Sequence, residues 1–257
     1  MESAFAGFTA ESFDFFRELA QNNHKPWFDA NRARYEQYIQ GAFRALLQEL
    51  EPALLALNPH FETAGKTNGN FSRINRDIRF SKDKSPYKSN FYLYVFDGRH
   101  DRGYAGRLYV GLSAECLTAG FSIYATDRKE PGALRSVFRP RVATQWHTFE
   151  RLLRDIVRRG RYETYWHRME KKAWAEHPGL PRRADDWQTL DAWIVRKVFE
   201  PNARPLRAPD FARQVERIFR ELYPLYVFTS VAGPRWRTDL RKGRVSGERQ
   251  GRPRVNG

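Results

Sequence analysis

The sequence has little of several features that define common classes of protein. Its single cysteine, Cys116, excludes an intramolecular disulfide framework and any zinc site built on cysteines, and this usage is typical of a reducing compartment. It contains no apolar run of about 18 residues and no N-terminal pattern of a secretory signal. These absences predict a soluble cytoplasmic protein that has no membrane partner.

Acidic residues are also scarce relative to basic ones. The 257 residues include 30 Asp and Glu against 45 Lys and Arg, a formal net charge of +15. Residues 235–257 account for +6 of this charge, which leaves +9 for residues 1–234. A chain this basic is attracted to polyanions, so nucleic acid and phosphorylated molecules are the predicted partner classes.

The motifs of several enzyme classes are missing. The six histidines are scattered, and no two stand at the i, i+4 spacing of a helical metal site. The sequence has no nucleophile elbow and no glycine loop of a kinase or a Rossmann domain. Residues 65–70 (GKTNGN) include Lys66 and Thr67 but lack the rest of a P-loop. No resident metal or cofactor is predicted.

Helical spacing of apolar residues dominates the first 57 positions. Thr9 is the predicted N-cap of a first helix, and Pro26 suits the first turn of a second. Pro52 is expected to kink or divide that second helix.

The next part of the chain predicts a mainly antiparallel sheet of at least four strands. Long crossovers between the strands are absent, which argues against a parallel doubly wound sheet. The predicted strands are residues 73–80, 91–96, 107–113 and 117–124, with a shorter candidate that begins at Phe61.

The C-terminal half is predicted to be mainly helical. Its predicted elements are helices at 134–138 (ending at Pro140), 144–160 (capped by Thr144), 187–199 and 210–222, and a last strand at 226–231. The basic and aromatic stretch 160–186 is interpreted as a long loop whose rings fill the core, although interleaved aromatic and cationic residues also suit base stacking.

These elements predict one α+β domain, an antiparallel sheet packed against N-terminal and C-terminal helices. It spans residues 1–234, with a helical unit at 9–57, the sheet at 61–124 and a helical half at 132–231. Residues 235–257 show no apolar periodicity and are predicted to be a disordered basic tail.

Residues 73–88 (RINRDIRFSKDKSPYK), called the basic block below, are the main candidate functional segment. As a strand, the block would bury Ile74, Ile78 and Phe80 on one face and expose a row of charge on the other. Arginine forks and lysine ammonium groups together can clamp a phosphate. The predicted anion-binding residues are Arg73, Arg76, Arg79, Lys82, Lys84 and Lys88.

The joint between the first two predicted helices, residues 22–32 (NNHKPWFDANR), is a second candidate segment. Helix capping and packing explain each of its residues. Alternatively, this corner forms one wall of the site, with Asn23, Trp27 and Arg32 supporting the block together with Tyr87.

Three functions fit these residues. The first is binding of a phosphate-bearing ligand, with nucleic acid as the leading class. The second is an enzyme acting on a nucleotide or another phosphorylated small molecule, in which Asp77 or Asp83 is a base or holds Mg²⁺ with a bound phosphate and His24 assists. The third is an internal lattice of ion pairs that joins the sheet to the helices.

A set of residues in the first 100 positions resembles a known family. The set comprises Phe8, residues 13–19 (FDFFREL), Asn22, Asn23, Trp27, Phe28, Arg32, Tyr35 and above all the RI, RD, RFSKDK and PYK segments of the basic block. It resembles the family catalogued as a domain of unknown function, number 2461, most strongly over residues 8–96. The resemblance implies one domain over most of the chain and no established activity.

Overall fold

An antiparallel sheet with helices against one face forms the centre of the computed structural model. The structure describes residues 5–79, 81–99, 106–125, 132–170, 173–207 and 210–230. Phe80 of the basic block and the predicted tail at 235–257 lie outside these ranges. The predicted α+β class is confirmed.

The sheet has six strands within the described residues. They are β1 (Asn90–Val95), β2 (Arg107–Ser113), β3 (Leu117–Tyr124), β4 (Glu163–Glu170), β5 (Ala173–Pro178) and β6 (Ala192–Phe199). Their order is β1-β2-β3-β6-β4-β5, and every neighbouring pair is antiparallel. The last strand in the chain therefore joins a three-stranded meander to a separate hairpin.

The N-terminal helices begin where the sequence predicts, but the second predicted helix is interrupted by a turn at Asn31. They are α1 (Ala10–Gln21), α2 (Lys25–Ala30), α3 (Arg32–Arg34), a π-helical segment (Tyr35–Gly41) and α4 (Ala42–Leu57). Thr9 is the N-cap of α1 and Pro26 lies in the first turn of α2, as predicted. Pro52 does not divide α4, because Leu46, Leu50 and Leu54 hold both halves of the helix against the core.

The C-terminal helices differ from the prediction at several ends. They are a π-helical segment (Leu134–Phe138), α5 (Arg139–Thr144), α6 (Trp146–Leu152), a second π-helical segment (Leu153–Arg158), α7 (Ala184–Thr189), a short 3₁₀ helix (Arg204–Arg207) and α8 (Asp210–Thr229). Pro140 lies in the first turn of α5, where a missing N–H costs little, so it does not break the helix. Gln145 rather than Thr144 is the N-cap of α6.

Three further predictions for the C-terminal half are wrong. Residues 160–186 are not a long loop, since they contain the β4–β5 hairpin. Residues 192–199 form a strand rather than the end of a helix, and the alternation typical of a strand is lost at residues 192–195, where both faces are buried. Residues 226–229 continue α8 instead of forming a strand.

The two faces of the sheet have different surroundings. The main core includes Leu93, Val110, Phe121 and Val195 and receives side chains from both helical regions. On the opposite face, Tyr109, Ala192 and Ile194 form a second, small cluster. Four tyrosines pack around this cluster: Tyr92, Tyr94, Tyr124 and Tyr165. We call the five tyrosines together the tyrosine face.

Among the helices in the described ranges, none combines the length and the hydrophobicity needed to cross a membrane.

Candidate functional site

The basic block is a short hairpin beside the sheet rather than one of its strands. The N–H of Arg76 donates to the carbonyl of Pro86, and the N–H of Lys88 donates to the carbonyl of Ile74, each at 2.8 Å. These bonds flank an isolated antiparallel bridge between Asn75 and Tyr87. The block therefore folds back on itself, and its charged central part is the loop between the paired ends.

The predicted strand at residues 73–80 is wrong for a physical reason. Ile74 is 8% exposed, but Ile78 is only half-buried, so the apolar face of the supposed strand is incomplete. In the described part of the block, residues 74–76 pair with residues 86–88. Arg79, Lys82 and Lys84, which lie between the paired ends, are exposed, and burial of these charges without partners would be costly.

The block is anchored to the α1–α2 joint by neutral contacts. The side-chain Nδ2 of Asn23 donates to the carbonyl of Tyr87, and its Oδ1 accepts the N–H of Tyr87. The Tyr87 ring stacks on Phe28 with 4.1 Å between centroids, and the guanidinium of Arg32 lies 5.3 Å from the centre of the Phe28 ring. Three of the four predicted supporting residues, Asn23, Arg32 and Tyr87, are thus brought together.

The remaining residues of the joint have capping and packing roles. His24 caps α2, since its Nδ1 accepts the N–H of Trp27 at 3.3 Å. Trp27 packs on Phe15, with 5.7 Å between ring centroids. Asp29 forms salt bridges with Lys25 and Arg32. The interpretation of this joint as helix-cap chemistry therefore accounts for most of its polar residues.

Each carboxylate of the block is paired with an arginine of the block. The Asp77 carboxylate accepts hydrogen bonds from Nε and Nη2 of Arg79 at 2.9 and 2.6 Å. These bonds lower the pKa of Asp77 to about 2. Asp83 forms a salt bridge with Arg76. Hydrogen bonds from Ser85, together with that arginine, lower the pKa of Asp83 well below its usual value. Both aspartates are ionised at neutral pH.

The other cations of the block have weaker partners. Arg73 and Lys82 are exposed and make no hydrogen bond or salt bridge with a described residue, although the charge of Arg73 helps to lower the pKa of Asp77. The Lys84 ammonium donates to the carbonyl of Ile78 at 3.0 Å. Lys88 is half-buried in the paired part of the hairpin. Six cations and two carboxylates leave the block with a net charge of +4.

No group of three or more His, Cys, Asp or Glu side chains in the described ranges could hold a metal ion. Asp77 and Asp83 instead bind arginine, as the salt bridges above show. These two residues orient cations of the block.

Sequence reasoning missed the tyrosine face and the arginines that lie on it. The Arg107 guanidinium lies 4.9 Å from the ring centre of Tyr94 and 5.6 Å from that of Tyr124. Arg196 lies 4.8 Å from the ring centre of Tyr165. The one available signal was the alternation of Tyr92 and Tyr94 in β1, which puts both rings on the face opposite the apolar residues.

Comparison with known proteins places these features in a family. Residues 11–228 match the family model described as conserved hypothetical protein (DUF2461). The chain belongs to this DUF2461 family. The match covers both the basic block and the tyrosine face, so both belong to the DUF2461 region of the chain. A search of curated proteins found no match.

Proposed function

We propose that this DUF2461 protein binds nucleic acid through the phosphate backbone, using the cations of the basic block. The observation that carries the proposal is the state of the charges in the hairpin. Arg76 and Arg79 take both carboxylates of the block, whereas Arg73 and Lys82 are exposed without a salt bridge to a described residue. Cations that the protein does not neutralise attract an external anion.

The anchoring of the hairpin supports this role. Asn23 and Phe28 hold Tyr87 in place, so the cations are carried by a segment with a fixed base rather than by a free tail. The backbone at the base of the hairpin is therefore held in place before a ligand binds, which reduces the entropy lost on binding. Backbone phosphates occur at a regular spacing along a nucleic acid, which matches several cations within one short segment.

The low pKa values of the aspartates favour binding over catalysis. A general base works best with a pKa near the working pH, but Arg79 lowers the pKa of Asp77 to about 2, and Asp83 is shifted in the same direction. An enzyme that uses Asp77 would lose turnover but retain its ligand in Asp77→Asn. A binding protein should bind equally well or slightly better after this change, because a negative charge is removed.

The ion pairs in the block do not support the lattice hypothesis. Arg79 pairs with a residue two positions away and its side chain is 76% exposed, and Arg76 pairs within the same hairpin. The contacts that join the block to the helices are the neutral contacts of Tyr87. Arg79→Ala is therefore expected to leave the melting temperature almost unchanged, because exposed pairs contribute little.

The proposal is tested by the salt dependence of binding to a labelled DNA duplex. If about five phosphates are neutralised, log affinity should fall with log salt at a slope of roughly −4.5. Arg73→Ala and Lys82→Ala should each make this slope shallower by about 0.9. The basic residues after 234 are present in every variant, so their nonspecific contribution cancels in the comparison.

Arg213→Ala is the matched control, because it removes one exposed cation from α8 and leaves the block intact. A slope that responds equally to all three substitutions would indicate only the effect of net charge. A slope near zero would contradict the proposal.

A further inference from the structure

The register of the sheet collects the aromatic residues of five strands on the face away from the helices. Tyr94 stands opposite Tyr109 across β1 and β2. Tyr165 stands opposite Ile194 across β4 and β6. Facing residues in an antiparallel pair point to the same side of a sheet, so these side chains share the tyrosine face.

The aromatic surface continues to the far edge of the sheet. The rings of His167 and Tyr165 meet edge to face at 5.5 Å, and those of His167 and Trp174 also meet at 5.5 Å. Trp174 in β5 is 49% exposed, which is unusual for so large an apolar side chain. With strands about 4.8 Å apart, the row from β1 to β5 extends over roughly 24 Å.

Arg107 gives this surface a positive charge that no described residue neutralises. It lies between the rings of Tyr94 and Tyr124 and makes neither a hydrogen bond nor a salt bridge with a residue in the described ranges. Arg196 is bound to Glu163 at 2.9 Å and also covers the ring of Tyr165. The guanidinium N–H groups of Arg107 are therefore available to an anionic group lying on the rings.

The tyrosine face is continuous with the basic block at one edge of the sheet. Ser72 pairs with β1, since its N–H donates to the carbonyl of Tyr92 at 2.9 Å and its Oγ accepts the Tyr92 N–H at 3.0 Å. Arg73, the first cation of the block, is the next residue in the chain. The basic block therefore begins beside Tyr92, the first tyrosine of the aromatic row.

We propose that the four half-buried rings of the tyrosine face, Tyr92, Tyr94, Tyr124 and Tyr165, bind the bases of a single-stranded nucleic acid together with His167 and Trp174. Tyr109 is only 5% exposed and packs beneath these rings rather than against the bases. The inference rests on the proposed function of the block and specifies its ligand. Unpaired bases stack on aromatic rings and guanidinium planes, whereas the bases of a duplex are already stacked on each other. A row of about 24 Å is too long for one nucleotide and suits several consecutive bases.

Charge argues against the basic C-terminal residues as the occupant of this surface. Residues 235–257 carry a net charge of +6, and Arg107 would repel them. A single-stranded nucleic acid has anionic phosphates that can bind Arg107 and bases that can stack on the tyrosines.

The test compares a labelled oligothymidylate with a DNA duplex of the same length, using the full chain. Trp174→Ala and Tyr92→Leu should each lower affinity for the single strand by roughly 5- to 150-fold, the range for loss of one stacked base. Affinity for the duplex should not change. Trp174→Phe should retain most of the binding, because it keeps a ring at the position.

Leu55→Ala is the matched control, since it truncates an exposed apolar residue on the helical side of the molecule. Trp174 lies on an edge strand and is half-exposed, so its replacement leaves the fold intact and the test remains valid if Tyr92→Leu unfolds. Unchanged single-strand affinity in a folded Trp174→Ala protein would overturn the inference. The inference would also be overturned if sedimentation showed that Trp174→Ala converts a dimer of this chain to monomers while single-strand affinity is unchanged.

The two proposals fail in different ways. If the basic block has no role, Arg73→Ala and Lys82→Ala leave both single-strand and duplex affinity unchanged. If the tyrosine face has no role, those two variants weaken both ligands while the Trp174 and Tyr92 variants weaken neither.

Discussion

The side-chain amide of Asn23 is hydrogen-bonded to both polar groups of the Tyr87 backbone, at 3.0 Å in each case. These residues are 64 positions apart, so one amide side chain joins the α1–α2 joint to the basic block. A single substitution at Asn23 removes both bonds and leaves a part-buried N–H and a part-buried carbonyl without their partner.

Asn23→Ala is therefore expected to lower the free energy of unfolding by about 1–3 kcal/mol, the cost of leaving such groups unpaired. Denaturant unfolding measures this change. Asn22→Ala is the control, because the side-chain amide of Asn22 donates to the carbonyl of Glu18 in the adjacent helix and does not contact the basic block. If the two variants have equal stability, the amide of Asn23 does not hold the block in place.

The ionisation of Asp77 should report the pairing within the block. Because Arg79 lowers the folded-state pKa of Asp77 to about 2, the pair stabilises the folded state above the ordinary aspartate pKa of about 3.9. That stabilisation is lost as the pH falls through about 2. In Arg79→Gln, an NMR titration of the Asp77 carboxyl carbon should give a pKa shifted back toward 3.9. A pKa that does not move would disprove the pairing in solution.

Arg141 should be important for the C-terminal end of α8. Its Nη1 donates to the carbonyls of Val227, Phe228 and Ser230 at 3.3, 2.8 and 2.7 Å. The last carbonyls of a helix lack the N–H groups of a following turn, although the Val227 carbonyl also accepts the N–H of Ser230. We expect Arg141→Ala to cost about 1.5–3 kcal/mol of stability, as for hydrogen bonds to a charged group. The melting temperature of Arg141→Ala is compared with that of Arg151→Ala, because Arg151 is an exposed arginine on α6. Equal melting temperatures would rule out this capping role.

Two glycines of the sheet should respond differently to alanine. A Cβ at Gly120 would stand 2.1 Å from the carbonyl oxygen of Val195, which belongs to the backbone of β6 and cannot move without breaking the sheet. A Cβ at Gly111 would stand 2.4 Å from the ring of Tyr92, a half-buried side chain whose displacement leaves the pairing of the strands intact. Gly120→Ala should therefore lose more stability than Gly111→Ala, by at least about 1 kcal/mol. Denaturation midpoints of the two variants test this prediction. A larger loss of stability in Gly111→Ala would show that the β6 backbone shifts more easily than the Tyr92 ring.

Local pattern was sufficient for residues 91–96, 107–113 and 117–124, which were correctly predicted as strands. In β1, Phe91, Leu93 and Val95 alternate with half-buried residues. β2 and β3 are buried on both faces, and a short turn between two β-prone runs identified them. Thr9 and Pro26 were correctly placed because capping and proline geometry depend only on neighbouring residues.

The errors occurred where tertiary position overrides the local pattern. Residues 192–195 are buried on both faces, because Trp193 and Val195 belong to the main core while Ala192 and Ile194 belong to the small cluster on the opposite face. This half of the strand therefore shows no alternation of apolar and polar residues. The β4–β5 hairpin lies at the sheet edge with many exposed residues, and its composition therefore resembled a loop. Tyrosines from four strands meet only after the register is fixed, so the tyrosine face could not be read from any one segment.

The strand order also has a consequence for synthesis of the chain. Before residues 192–199 emerge from the ribosome, the meander ends at β3 and the hairpin ends at β4, and each presents an unpaired edge. A nascent chain whose synthesis stops before residue 192 therefore has two unpaired strand edges. Such edges favour aggregation and chaperone binding. β6 pairs with both of these edges, so the six-stranded sheet is completed only after residues 192–199 have been synthesised.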